Sequence, residues 1–128
     1  VSAYNSRNNS FYVNSGRGFA LDGRIKPELA APGVDLSAAS GTLRGSAVVA
    51  SASGTSLAAA VAAGGCAQLL QWCVPDGNYP DINGTGLISF LVRGAARDAA
   101  QSYPNRTFGF GRLDMAGVFD WIAGIGRG

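Results

Sequence analysis

Ser56 is the residue of this chain best suited by its surroundings to act as a nucleophile. It stands in ASGTSLAAA, residues 52–60, and the apolar run VAAGGCAQLLQWC follows at once. Ala predominates there and only Gly64 and Gly65 weaken the run, so the composition predicts a helix over about 55–73, apolar nearly all round and therefore buried. At a helix N-terminus several backbone N–H groups lack partners and the macrodipole is positive. Attack of a serine on an acyl carbonyl creates an oxyanion, which such groups, the serine's own N–H included, can hold. Gly54 would admit a substrate backbone closely. By local pattern alone, however, Gly-Thr-Ser before an Ala-rich helix more often marks a cap.

The rest of the chain offers that serine little help. Histidine is absent altogether, and histidine is the commonest general base at neutral pH and a frequent metal ligand. This chain alone therefore cannot complete a Ser-His-Asp relay. Cys66 and Cys73 lie seven apart on one predicted helix, a rise of roughly 10 Å, beyond the ~7 Å limit for a disulfide. Free, packed thiols are expected, and without a C-x-x-C pair no metal site is proposed.

Composition narrows the function classes further. Charged residues make up 14% of the chain against 47% hydrophobic, which predicts one packed globular unit over 1–128, or a piece of one. Nine arginines and one lysine are scattered among acids, with a net charge of +2, so no basic stripe argues for nucleic acid. Arg106-Thr-Phe-Gly-Phe-Gly-Arg112 has the glycine and aromatic mixture of an RNA-binding strand in the wrong order, and Gly109-Phe110-Gly111 is too short for a dinucleotide fingerprint. A tight turn before the last helix is expected there. Leu57 to Val74 approaches the ~20 residues of a membrane span. Gln68, Gln71 and the lack of basic flanks oppose that reading.

Around the candidate helix, VSAY and FYV read as short strands joined by the turn-forming NSRNNS. SGRGFALDGRIKPELAAPGVDL alternates turn residues with apolar stubs, as a segment crossing a surface or lining a cleft does. Gly41 to Gly45 suggests a turn, and residues 46–50 a strand leading to Gly54. Thr85 is expected to cap a helix over about 86–96 carrying Leu87, Ile88, Leu91 and Val92, with Arg93 and Arg97 on its solvated face. Asp114 is expected to cap a last helix over about 114–123, with Met115, Val118, Phe119 and Ile122 in the core. Three N-x-S/T patterns, at Asn8, Asn83 and Asn105, serve as loop markers. Short strands alternating with helices favour an α/β architecture.

The order of several motifs carries more weight than any one of them. Ser15-Gly-Arg-Gly18 is followed by Asp22-Gly-Arg-Ile-Lys-Pro-Glu-Leu-Ala-Ala-Pro-Gly33, then by Gly54-Thr-Ser-Leu-Ala58 with Gly64. This succession resembles the subtilisin-like serine proteases, the subtilases or S8 peptidases, whose corresponding motifs read S-S-R-G-P, D-G-R-I-K-P-D-I-x-A-P-G and G-T-S-M-A-x-P-x-V-A-G. Leu87 to Ala96 and Phe108-Gly-Phe-Gly-Arg-Leu-Asp114 are similar to a later helix and the closing turn of these enzymes. YNSRNNSFYVNSGRGF, GTSLAAA, LLQWC and YPNRTFGFGRLD look closest to the clostridial group that includes spore-germination proteases.

The resemblance implies the C-terminal portion of a subtilisin-like fold, a mostly parallel sheet with packed helices. It assigns the nucleophile to Ser56 and a supporting hydroxyl at the oxyanion hole to Thr55. In the family the Asp, the His and the oxyanion-hole Asn precede this region, so all three would lie before Val1 and the isolated fragment would be inactive. The implied activity is peptide-bond hydrolysis through an acyl-enzyme. The alternative is a subtilase-like pseudoprotease serving as a binding or structural module. Leu57, Ala60 and Val61 replace the usual Met, Pro and His, and Ser15-Gly16 and Gly18-Phe19 blur the first motif.

Implied partners are a polypeptide substrate and the remainder of the domain, with self-association or domain swapping through unpaired apolar surface. Structural calcium occurs in the family, but no acidic cluster here matches a site for it. The resemblance also implies a bacterial protein, secreted or spore-associated.

Overall fold

The computed structural model describes residues 1–41 and 48–125. The first strand, β1 (Ser2–Asn5), turns back into β2 (Ser10–Phe11) as expected, with Tyr4 opposite Phe11 and Asn5 opposite Ser10. The intervening polar residues build the turn themselves. Asn5 Oδ1 accepts from the Arg7 N–H at 2.9 Å, and Asn8 Oδ1 from the Ser10 N–H at 3.0 Å. On the other side of β1, β3 (Ala30–Pro32) pairs in parallel, with Ala3 opposite Ala31. The irregular segment between β2 and β3 carries the turn residues that the sequence displays.

A second, two-stranded sheet joins β4 (Leu36–Ser40) to β5 (Val48–Ala52) in antiparallel register, Leu36 opposite Ala52 and Ser40 opposite Val48. The expected strand before Gly54 is β5. The turn expected over Gly41 to Gly45 lies outside the described residues. β4 was not foreseen, because LSAAS has little intrinsic strand preference and owes its form to its partner. Among the described strands, parallel pairing joins β1 to β3, with a further parallel bridge between Ala30 and Arg112, and the other two strand pairings are antiparallel.

α1 runs from Thr55 to Cys73, the expected span. It is buried along one stripe, Ala58, Gly65, Leu69 and Cys73, while Ala59, Ala60, Gly64, Gln68 and Gln71 face outward. Burial all round therefore does not hold within this chain. By length and composition α1 could also cross a membrane, but here its stripe packs in a protein core. Ala58 meets Ala3 and Ala31 of the sheet, whose methyl-sized side chains let the helix approach. Farther along, Leu69 and Cys73 join Leu29, Leu91, Ala95 and Val118 in the main core.

α2 (Gly84–Gly94) starts two residues earlier than expected. Its cap is Asn83, whose Oδ1 accepts from the Gly86 N–H at 2.9 Å, and Thr85 lies inside the first turn, exposed. The helix also stops short of Ala96, because Ala95 is extended and Ala96 exchanges two 2.9 Å backbone hydrogen bonds with Arg112. α3 (Met115–Ile125) begins as anticipated, with Asp114 Oδ1 accepting from the Gly117 N–H at 3.0 Å. Arg93 and Arg97 remain exposed but are engaged. Arg97 donates to the carbonyls of Phe110 (2.7 Å) and Val92 (2.6 Å), and the Arg93 guanidinium lies 5.2 Å from the centre of the Trp121 ring.

Asn83→Ala removes the α2 cap and is expected to cost about 1 kcal/mol in urea unfolding of the whole protein; Thr85→Ala should cost much less. Cys66 and Cys73 are free, half-buried and buried respectively, and burial pushes both thiols up from their ordinary range. Native alkylation by iodoacetamide is therefore expected to be at least about tenfold slower than in the unfolded chain, with Cys66 reacting ahead of Cys73.

Candidate active site

The end of β3 and the start of α1 meet at two glycines. The Gly54 N–H donates to the Gly33 carbonyl at 2.8 Å, and the Gly33 N–H donates to the Tyr4 carbonyl at 3.0 Å. A Cβ on Gly33 would lie 2.6 Å from the Ala3 Cβ and 2.8 Å from the Gly54 carbonyl oxygen, so only glycine fits. The Ala-Pro-Gly and Gly-Thr-Ser motifs, some twenty residues apart in sequence, are therefore two halves of one joint. The Ser53 hydroxyl reinforces it by accepting from the Asp35 N–H at 2.8 Å.

Gly54 is the N-cap of α1, with φ 156° and ψ 162°. This backbone region is open to glycine and nearly closed to other residues. No side chain caps the helix. Thr55 and Ser56 are its first two residues and both are exposed. The first backbone bond of the helix runs from the Ala58 N–H to the Gly54 carbonyl at 3.3 Å. The N–H groups of Thr55, Ser56 and Leu57 precede it and have no helical acceptor. Among the described residues, the Ser56 hydroxyl makes no hydrogen bond either.

These positions distinguish the two local readings of Ser56. A capping serine sits at the N-cap and spends its oxygen on the helix; Ser56 is two positions farther in, and its oxygen is free to face a ligand. No acidic residue occupies the first turn of α1, so nothing there competes with an incoming negative charge. Thr55 shares the turn and the exposure. The sequence reading missed Gly33 and Ser53 as parts of the joint, although Ala-Pro-Gly was a visible signal of Gly33.

The chain holds no histidine to serve Ser56 as a general base. Among the described residues there is also no group of His, Cys, Asp and Glu that could hold a metal ion. On the flank of α1, Pro32, Val61, Gly64, Gln68, Leu113 and Met115 border an open groove of about 380 Å³. The site of Ser56 is thus a helix N-terminus on an open surface, beside a helix face left exposed among the described residues.

Comparison with known proteins agrees with the motif order. The structure of the Clostridium perfringens CspB protease is similar over 95% of this chain, with 31% identity and a TM-score of 0.84. This chain spans 26% of that protein's length. The serine protease MycP1, an essential component of the type VII (ESX-1) secretion system, shares the fold over 82% of this chain and 30% of its own, at 23% identity and a TM-score of 0.54. Among curated protein sequences none matches the chain. The family model described as "Subtilase family" matches residues 1–111, from β1 through the Gly33–Gly54 joint and α1 to the glycine turn ahead of α3. With its motifs, its fold and that match in agreement, this chain belongs to the subtilase family of serine peptidases.

Proposed function

We propose that Ser56 is the nucleophile of a serine endopeptidase, and that residues 1–128 are the nucleophile-bearing C-terminal part of its catalytic domain. The observation that carries this reading is the first turn of α1. Gly54 takes the cap position, which leaves the Ser56 hydroxyl exposed beside N–H groups without helical acceptors. In the proposed reaction a histidine from the preceding part of the domain removes the Ser56 proton. The serine oxygen then attacks the peptide carbonyl, the Ser56 N–H helps to hold the oxyanion, and the Thr55 hydroxyl supports that site. Collapse releases the amine, which takes the proton back from that histidine, and leaves an acyl-enzyme, which water hydrolyses. The substrate is an extended polypeptide bound beside the loops of the 30s to 50s.

Such a domain also needs something on the outer face of α1. The groove of about 380 Å³ beside Val61 and Gln68 suits the preceding part of the same domain, whose docking would bury the outward Ala and Gly residues. The isolated chain should then be inert and prone to self-association through this face.

Labelling with a fluorophosphonate tests the reading. The whole protein is expected to form an adduct that Ser56→Ala abolishes, and the isolated chain none. An unlabelled but folded whole protein would instead favour the pseudoprotease, in which the fold persists as a binding or structural module.

A further inference from the structure

Far from Ser56, α2, α3 and the loop after α1 enclose a second concavity of about 200 Å³, lined by Tyr79, Gly86, Ser89, Phe90, Arg93 and Trp121. Phe90 is its organising residue. It stands edge-to-face with Tyr79 (6.0 Å, 83°), Trp121 (5.7 Å, 62°) and Trp72 (6.4 Å, 79°). Trp72 lies sixteen residues along α1 from Ser56, or about 24 Å at the ~1.5 Å rise of a helix. The pocket is thus remote from the proposed catalytic serine.

Its chemistry is two-sided. Three rings offer apolar walls, and Tyr79 stays half exposed, at 51%. The Arg93 guanidinium lies over Trp121 at 5.2 Å. A guanidinium held against a ring can still turn N–H groups outward, in the fork geometry that matches a carboxylate. Among the described residues no carboxylate pairs with Arg93; the two ion pairs present are Arg24–Asp22 and Lys26–Glu28. The Ser89 hydroxyl, donating to the Thr85 carbonyl at 2.9 Å, keeps lone pairs for a donor. The volume is below the ~300 Å³ at which drug-sized sites begin, so the occupant is no larger than one apolar side chain with its acid group.

We propose that this pocket binds a carboxylate attached to an aromatic or branched apolar group, with the ring or branch between Tyr79, Phe90 and Trp121 and the carboxylate on Arg93. Two sources share that chemistry, a free small acid and the C-terminal residue of a polypeptide. The site is independent of catalysis at Ser56.

The test uses the whole protein carrying Ser56→Ala, so that no peptide is cleaved, and follows binding by saturation-transfer NMR titration. The probes are phenylacetate and its amide, and an N-acetylated Ala-Ala-Phe peptide with a free or an amidated C-terminus. At least one acid is expected to bind at least about tenfold more tightly than its amide, the scale of one charge-assisted hydrogen bond. Arg93→Gln should reduce that acid to the level of its amide, and Arg93→Lys should fall between. Ser89→Phe, which fills the pocket and leaves Arg93 in place, should abolish binding. Preference for phenylacetate identifies a free acid, and preference for the peptide a chain end. The proposal is overturned if no probe binds, if acids and amides bind alike, or if Arg93→Gln leaves the affinity unchanged.

Discussion

Ser56→Ala is expected to lower peptide hydrolysis by the whole protein by about 10⁶-fold, the scale for loss of a triad serine, and to leave its stability within about 0.5 kcal/mol of the original. The two halves of this result have different causes. On the role proposed for Ser56, activity falls because the attacking oxygen is gone, while the backbone N–H groups that would hold the oxyanion remain. Stability holds because Ser56 is exposed and is not the cap, so its hydroxyl bonds nothing that the fold needs. A helix-capping serine would behave in the opposite way, losing about 1 kcal/mol with no specific effect on chemistry. Steady-state hydrolysis of a peptide substrate and urea unfolding, measured on the same variant, separate the roles. A loss of stability near 1 kcal/mol with activity retained would return Ser56 to the structural reading.

Leu69→Ala is expected to destabilise the protein by about 2–5 kcal/mol. Leu69 is fully buried where α1 crosses the main core, packed with Leu29, Cys73, Leu91, Ala95 and Val118. Truncation there removes apolar contacts and leaves a cavity whose walls belong to three helices and the segments just before β3 and just after α2, which cannot all close upon it. The neighbouring Leu70 is 40% exposed, and in residues 1–128 without the rest of the domain Leu70→Ala should change stability by no more than about 0.5 kcal/mol. Urea midpoints of the two variants provide the check. Equal effects would mean that the outward face of α1 is buried as deeply as its inward stripe, as it would be if another part of the protein covered it.

The contrast between Leu69 and Leu70 shows where sequence reading stops. Composition predicts α1 and its span well, because Ala, Leu and Gln favour a helix wherever they occur. It could not say which of two adjacent leucines faces inward, because a helix apolar all round carries no amphipathic stripe. Caps were partly legible. Asp114 was identified correctly, whereas Thr85 gave way to Asn83 because both side chains can cap, and the position of the preceding loop decides between them. β4 left almost no trace, since its Ser and Ala residues take strand form through pairing with β5.

What the sequence determined by itself about this protein is the succession of its motifs, and with it the family, the nucleophile candidate and the lack of any histidine to serve it. These are properties of residue identity and order. Tertiary structure alone decided that Gly33 and Gly54 form one joint, and that Gly54 rather than a hydroxyl caps α1. It also decided that Arg93 lies over Trp121 beside Phe90. Each depends on segments distant in sequence meeting at van der Waals or hydrogen-bond distance, and no local pattern encodes the approach of a distant chain.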